Sequence, residues 1–480
     1  MTLTSRKSLS RLVLRAMGVF GGVQSLQILC SIIRMKLVSL WIGPAGVGLF
    51  SIFNSAIDLV SSATQLSLRN SAVRDIAASK GKSAAVRDAI VTIVRRWGWI
   101  LGMAGALVML MASPLLSRIT FGDFSHSIQY VVLSVSVFLA ALISSEGAIL
   151  QGLERYKPLA LGSLWGTLGG LIVSIPLYFF ARIDSIVPSL ILYSIFTAGA
   201  LLYYRASDVK PAHRITMRET LETGRSFLML GGFMTIATFV EQLCNYIFIS
   251  YLNVTDSDTG VGYYQAGYTL VNRYVGLLFV ALAMEYYPRM SRVADSLLRS
   301  RVYVSHEISL IMVMLVPVAT IFISASQLIV KILYSAEFVM ILPFVVTAMA
   351  GMVFRGFSWC ISFLVLARNS GKTYVTVECL SSVIGLVLNI IAFRCFGING
   401  LGVSFTLWYV AYCIMMLIVA RRMGLKISGR SVWLSVYALV AVSLQILLYF
   451  TMPVWALITF ASAASILSLI LVLKLSGSRF

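Results

Sequence analysis

The chain has 480 residues, of which 59% are hydrophobic and only 12% charged, with a formal net charge of +20 and a mean hydropathy of +0.91. A soluble chain carries roughly 25% charged residues, so the polar cover of a water-facing surface is missing and hydrocarbon must take its place. The positive charge lies in small groups between apolar stretches, with no basic helix interleaved with aromatic residues, and therefore calls for no nucleic-acid partner.

A membrane-spanning helix needs about 20 mostly apolar residues, and fourteen such segments follow one another. The first, 17–41, comes after Arg6, Lys7, Arg11 and Arg15 and itself carries Arg34 and Lys36. Those charges interrupt it and no clear cleavage site follows, so it is expected to stay in the protein rather than leave as a signal peptide. The second span, 44–66, holds Asp58 and runs into Arg69 and Asn70. A basic loop then leads to an amphipathic stretch from about Val86 to Arg95 and Arg96, expected to lie at the membrane surface before the third span at 97–117. Spans at 128–150, 159–180 and 186–204 complete the first six. The seventh, 226–250, carries Glu241, Gln242 and Asn245, and the eighth, 261–285, carries Asn272 and Arg273. The ninth is 305–325; the tenth, 340–367, holds Arg355; the eleventh and twelfth are 373–395 and 400–420. The last two, 431–451 and 453–473, contain no Asp, Glu, Lys or Arg and read as a lipid-facing hairpin without direct chemistry.

Cytoplasmic loops collect Lys and Arg. With the N-terminus placed inside and the sides alternated, 30 of the 38 basic residues fall in inner segments. The outer loops hold Arg118, Arg182, Lys331 and Arg394. This bias supports an even number of spans with both termini cytoplasmic; one span more or fewer would invert half of the loops.

An internal repeat is visible. Gly46-Val47-Gly48 opens the second span and Gly260-Val261-Gly262 the eighth, while the loop Gly152-Leu153-Glu154-Arg155-Tyr156 is echoed by Gly371-Lys372-Thr373-Tyr374. Six spans separate the equivalents, so the halves are parallel repeats. The predicted fold is an all-α polytopic membrane protein of about 14 helices, with two parallel six-helix halves around a central cavity (1–210 and 211–425) and a C-terminal helix pair (426–480).

Ionisable groups at membrane depth are costly and usually face a bundle interior or a watery cavity. Here they concentrate in the first, second, seventh and eighth spans, which are equivalent in the two halves, with Arg355 in the tenth. The candidates for binding an anionic head group are Arg34, Lys36, Arg69, Asn70, Arg273 and Arg355; Asp58 and Glu241 are candidates for ion coupling. Arg suits phosphate because its fork holds two oxygens, whereas Lys acts as a point charge. A structural alternative stands beside this: Arg34 and Arg355 as ion pairs with Asp58 or Glu241, Lys36 reaching along its stem to the outer surface, and Arg69 an ordinary inner-loop cation. Glu146, Glu285 and Glu378 lie nearer helix ends, where snorkelling or capping accounts for them.

Six cysteines without a CxxC pair read as small buried hydrophobes, and His126, His213 and His306 are scattered. No metal site, catalytic constellation, cofactor motif or GxxxxGK[ST] nucleotide loop is present, which disfavours an enzyme.

The segment Lys36-Leu37-Val38-Ser39-Leu40-Trp41-Ile42-Gly43-Pro44-Ala45-Gly46-Val47-Gly48-Leu49 resembles the first outer turn of the O-antigen flippases, the Wzx family, whose superfamily includes multidrug exporters and lipid II flippases. Ser67-Leu68-Arg69-Asn70-Ser71, Tyr287-Pro288-Arg289-Met290-Ser291 and Leu333-Tyr334-Ser335-Ala336-Glu337-Phe338 fit the same resemblance, which extends through about residue 422. Wzx proteins often have twelve spans, so the last two depart from the pattern. The resemblance implies translocation of an undecaprenyl-pyrophosphate-linked oligosaccharide across a bacterial inner membrane, with a polysaccharide polymerase and chain-length regulator as partners. It supports directly only the regions of Lys36 and of Arg69 and Asn70. A drug or metabolite exporter of the same architecture and a non-transporting scaffold of a polysaccharide assembly complex are the competing readings. The deep charges, four basic against two acidic, disfavour an exporter of cations.

Overall fold

The chain is all helix among the residues described by its computed structural model, which are 23, 25–65, 68–79, 83–205, 216–368 and 370–477. The basic residues at 6–15, 80–82, 210–214 and 479, His213, and the predicted half boundary at 210 lie outside them. So do Ser67 and the start of the first span; the side chains of residues 221–234, Tyr287, Pro288 and Ser291 are likewise outside the description.

Each of the fourteen expected spans has a helix. The first is α1 (residues 25–41). It turns into α2 (Pro44–Thr64) through Gly43, at φ 86° and ψ −166°. Only glycine holds that conformation without strain, and Pro44 then starts α2 with a helical φ and no orphan N–H. The Gly-Pro between the first two helices thus has a backbone reason. Next come α3 (Leu68–Ala78), α4 (Ala84–Phe121), α5 (Ser127–Gly152), α6 (Tyr156–Phe180), α7 (Ile186–Tyr203) and α8 (Met217–Thr255). The eighth span is composite: α9 (Asp258–Thr269), a π-helical segment (Leu270–Val275) and α10 (Leu277–Val293). Then follow α11 (Leu297–Leu333), α12 (Leu342–Ala367), α13 (Gly371–Arg422), α14 (Gly429–Thr451) and α15 (Val454–Gly477). Among the described residues, ten helices are long and apolar enough to cross a membrane by length and composition. One of these, α13, has 52 residues and breaks at Gly397 (φ 60°, ψ −151°), so it makes two crossings, the eleventh and twelfth spans.

Two details differ from the sequence reading. The loop after the second span contains a helix, α3, whose Leu68, Ala72 and Ile76 are buried while Arg69, Asn70 and Arg74 stay exposed. Spacing of four residues puts the apolar side chains on one face, and Ile76 joins a core with Val94 of α4 and Ile149 of α5. In addition, the stretch from Val86 to Arg96 is not a separate surface element: α4 runs unbroken from Ala84 to Phe121. It remains helical into the bundle because Arg95 Nε meets Glu146 Oε1 of α5 at 2.8 Å, with Glu146 only 7% exposed. Snorkelling or capping therefore does not describe Glu146.

The helices form two compact units, Met1–Val261 and Gly262–Phe480. In the first, α6 presents Gly162, Gly166 and Gly170 to α7; a side-chain carbon on Gly170 would meet the ring of Tyr193 at 2.6 Å. Such small-residue stripes let membrane helices approach closely. In the second, α14 and α15 are fastened to α11 by buried hydrogen bonds as well as by apolar packing. Ser431 Oγ donates to the Ser305 carbonyl at 2.7 Å, and Gln445 Nε2 donates to Ser324 Oγ at 2.8 Å.

Candidate functional site

Two of the candidate arginines are held on aromatic faces. Arg34 projects from α1 into the first unit, where it is 8% exposed. Its guanidinium lies 3.9 Å from the centre of the Tyr193 ring of α7 and 5.7 Å from that of Phe50 of α2. The tight contact of α6 and α7 at Gly170 fixes Tyr193 and so places this ring. In the second unit, Arg355 of α12 is half-buried. It stands 5.4 Å from the Phe279 ring of α10 and 5.5 Å from the Tyr409 ring of the second arm of α13. It also donates to the side-chain oxygen of Asn272, in the π-helical segment.

Among the described residues neither guanidinium has a carboxylate partner. Within the first unit, the ion pair of Arg34 with Asp58 or Glu241 is therefore absent among the described residues. Ring faces attract a cation through their quadrupole by about 0.5–2 kcal/mol, less than the several kcal/mol that desolvating an ion costs. Among the described residues, most of the five N–H donors of each fork make no hydrogen bond.

The other candidates are dispersed. Lys36 is half-buried and, two residues after Arg34, lies about 200° round α1 from it. Asp58, on an exposed position of α2, accepts from Asn54 Nδ2 at 3.0 Å. Arg69 and Asn70 are exposed on the first turn of α3, with Arg69 reaching Gln151 Oε1 at 3.5 Å. Glu241 is exposed on α8. Arg273 is exposed beside Asn272 in the π-helical segment, and segments of this kind recur at functional sites. Gly276 permits it, because a side-chain carbon there would meet the Asn272 carbonyl at 2.0 Å. The structure thus brings Arg355 to the Asn272–Arg273 pair and leaves Arg34 on its own rings.

Sequence reasoning missed the aromatic holders. One signal was available for two of them: Tyr193 and Tyr409 are separated by 216 residues, within the spread of the repeat, and each receives an arginine. Glu378 was also assigned to a helix end. It lies in the first arm of α13 and accepts from Tyr412 Oη at 2.6 Å and Ser362 Oγ at 3.4 Å. Among the described residues no group of three His, Cys, Asp or Glu side chains could hold a metal.

A family profile described as "Polysaccharide biosynthesis protein" matches residues 82–343, more than half of the chain. The chain belongs to this family. No curated protein matches it, whereas solved structures do. The lipid II flippase MurJ in an inward closed conformation superposes with a TM-score of 0.70 at 14% identity, covering 94% of this chain and 97% of that one. An inward-facing multidrug resistance MATE family transporter of the MOP superfamily gives 0.67 at 14% identity, with 83% and 94% covered. A MOP superfamily transporter from Pyrococcus furiosus, described as having a binding pocket of reverse polarity, gives 0.60 at 15% identity, with 85% and 93% covered. At these identities the likeness is one of fold. This polysaccharide biosynthesis protein is a multi-pass membrane protein with the fold of MOP transporters and flippases, not that of an enzyme.

Proposed function

We propose that the protein is a flippase that moves an undecaprenyl-pyrophosphate-linked oligosaccharide, an O-antigen or similar repeat unit, from the cytoplasmic to the periplasmic face of a bacterial inner membrane. Both termini are cytoplasmic in this reading. Two six-helix halves, 1–210 and 211–425, alternate access to a central cavity, and the pair 426–480 is an addition. The observation that carries the reading is the pair of membrane-depth arginines, Arg34 and Arg355, each held on tyrosine and phenylalanine rings without a carboxylate. A cation kept at depth without an acid suits a transported anion, and a pyrophosphate or an acidic sugar supplies one.

Lys36, Arg69, Asn70 and Arg273 complete the proposed path for the head group, and Asp58 and Glu241 couple its movement to an ion. The partners in this reading are the lipid-linked substrate, membrane lipids, a polysaccharide polymerase and a chain-length regulator. The test is reconstitution into liposomes with a fluorescent lipid-linked oligosaccharide. Translocation is expected to quicken, and Arg273→Ala is expected to reduce it more than Arg421→Ala, which changes an exposed residue at a helix end. Equal losses from both would remove the arginine assignment. Drug efflux without any change in surface polysaccharide would turn the reading into a small-molecule exporter.

A further inference from the structure

A groove of about 790 Å³ runs between α11 and α15 in the second unit. Its walls are apolar and exposed, with Ile321 and Leu328 on one side and Ile458 and Ile466 on the other. Lys331 stands at the mouth, two residues before α11 ends, and Gln327 lies one turn deeper on the same face. The floor is built rather than left by loose packing. Ser324, which lines the groove, accepts from the buried Gln445 of α14 at 2.8 Å and lies 3.4 Å from the Leu457 carbonyl of α15. Three helices, α11, α14 and α15, therefore meet under it through hydrogen bonds.

The length of the groove limits its occupant. From Ile321 to Lys331, ten helical residues cover about 15 Å, and from Val454 to Ile466 twelve cover about 18 Å. The hydrocarbon core is about 30 Å thick, so the groove spans one leaflet. Lys331 lies in the last turn of α11, and a lysine at the end of a spanning helix extends its ammonium toward the phosphate layer. We propose that this groove binds an anionic glycerophospholipid, with its phosphate at Lys331 and acyl chain between α11 and α15. A much longer polyprenyl chain would outrun a groove one leaflet deep. The binding does not depend on the cargo, so the helix pair after residue 426 becomes one wall of a lipid site and not a bare hairpin.

The experiment uses the full chain, purified in mild detergent and offered phosphatidylglycerol or phosphatidylcholine, with bound lipid counted by native mass spectrometry. One phosphatidylglycerol per chain is expected to persist in preference to phosphatidylcholine. Lys331→Gln should lower its occupancy about fivefold, the contribution of one lysine at a membrane surface. Ser462→Trp, which fills the groove from an exposed position, should remove the lipid without lowering the thermal midpoint. Lys474→Gln, at the other end of α15, should leave binding unchanged. Equal retention of the two lipids, undiminished occupancy in both groove variants, or displacement by equimolar undecaprenyl phosphate would each overturn the proposal.

Discussion

Arg34 and Arg355 meet the same problem, a guanidinium within an apolar run of helix, with different surroundings. Arg34 is nearly sealed, 8% exposed, with its cation on the ring of Tyr193 and no hydrogen bond among the described residues. Arg355 is half-buried and shares its charge with Asn272 as well as two rings. The first arginine is kept at greater electrostatic cost and has more to gain from an anion. The second is tied through Asn272 to a helix with an irregular backbone, so a ligand that engages it also loosens a structural contact. Depth alone does not make two cations equivalent; what each is bonded to decides how an anion acts on it.

The comparison can be broken by removing one charge at a time. Arg34→Met keeps much of the apolar stem and deletes the cation. It is expected to slow translocation of lipid-linked oligosaccharide by about a hundredfold, as the loss of a charged hydrogen-bonding group in a dry site does. Arg355→Met should cost about tenfold in the same liposome assay, because this site is partly exposed. If the order were reversed, burial would not be what sets their importance. As a reference for folding, Glu146→Ala removes the buried carboxylate that pairs with Arg95. It should lower the unfolding free energy of the first unit by about 3 kcal/mol, seen as a loss of thermal midpoint, with no preference between anionic and neutral cargo.

Asn272→Ala probes the tie that only Arg355 has. Freed from Asn272, Arg355 should bind an anion at least as well, while the π-helical segment loses its contact with α12. Transport is expected to fall about fivefold, with thermal stability reduced by about 1 kcal/mol, the worth of one hydrogen bond. The same variant combined with Arg355→Met should be no worse than Arg355→Met alone, since both act on one contact. Additive losses would show that Asn272 acts elsewhere.

Much of this was legible in the chain itself. Span number follows from runs of apolar residues, and the break of α13 falls at Gly397, between the two spans expected there. That Arg34, Arg273 and Arg355 lie within apolar runs was also legible, because the sequence itself shows it. Their partners were not. Tyr193 is 159 residues from Arg34, and Phe279 is 76 from Arg355, so hydropathy carries no trace of these contacts. Helix α3 escaped for another reason: its apolar positions, Leu68, Ala72 and Ile76, are too few among charged neighbours to stand out in a basic loop. The division into halves at residue 210 rests on repeat spacing, whereas the compact units divide after Val261 because α8 packs on α2 and α4. Sequence equivalence and packing are separate properties.

The smallest predicted effect is the sharpest about the rings. If Tyr193 and Tyr409 serve through their π faces, Tyr193→Phe and Tyr409→Phe should each change transport by less than about twofold, since phenylalanine retains the face that attracts a cation. The Tyr193 hydroxyl has little to lose: its contact with Thr167 Oγ1 is 3.5 Å, and that hydroxyl already donates to the Ser163 carbonyl at 2.8 Å. Leucine at the same positions keeps bulk and removes the face. It should cost about tenfold at Tyr193, where Arg34 is desolvated, and about threefold at Tyr409, where Arg355 has Asn272 and solvent besides. A large loss in the phenylalanine variants would transfer the role from ring to hydroxyl. Arg34 and Arg355 would then differ in hydrogen bonding to the substrate and not in how their charge is held.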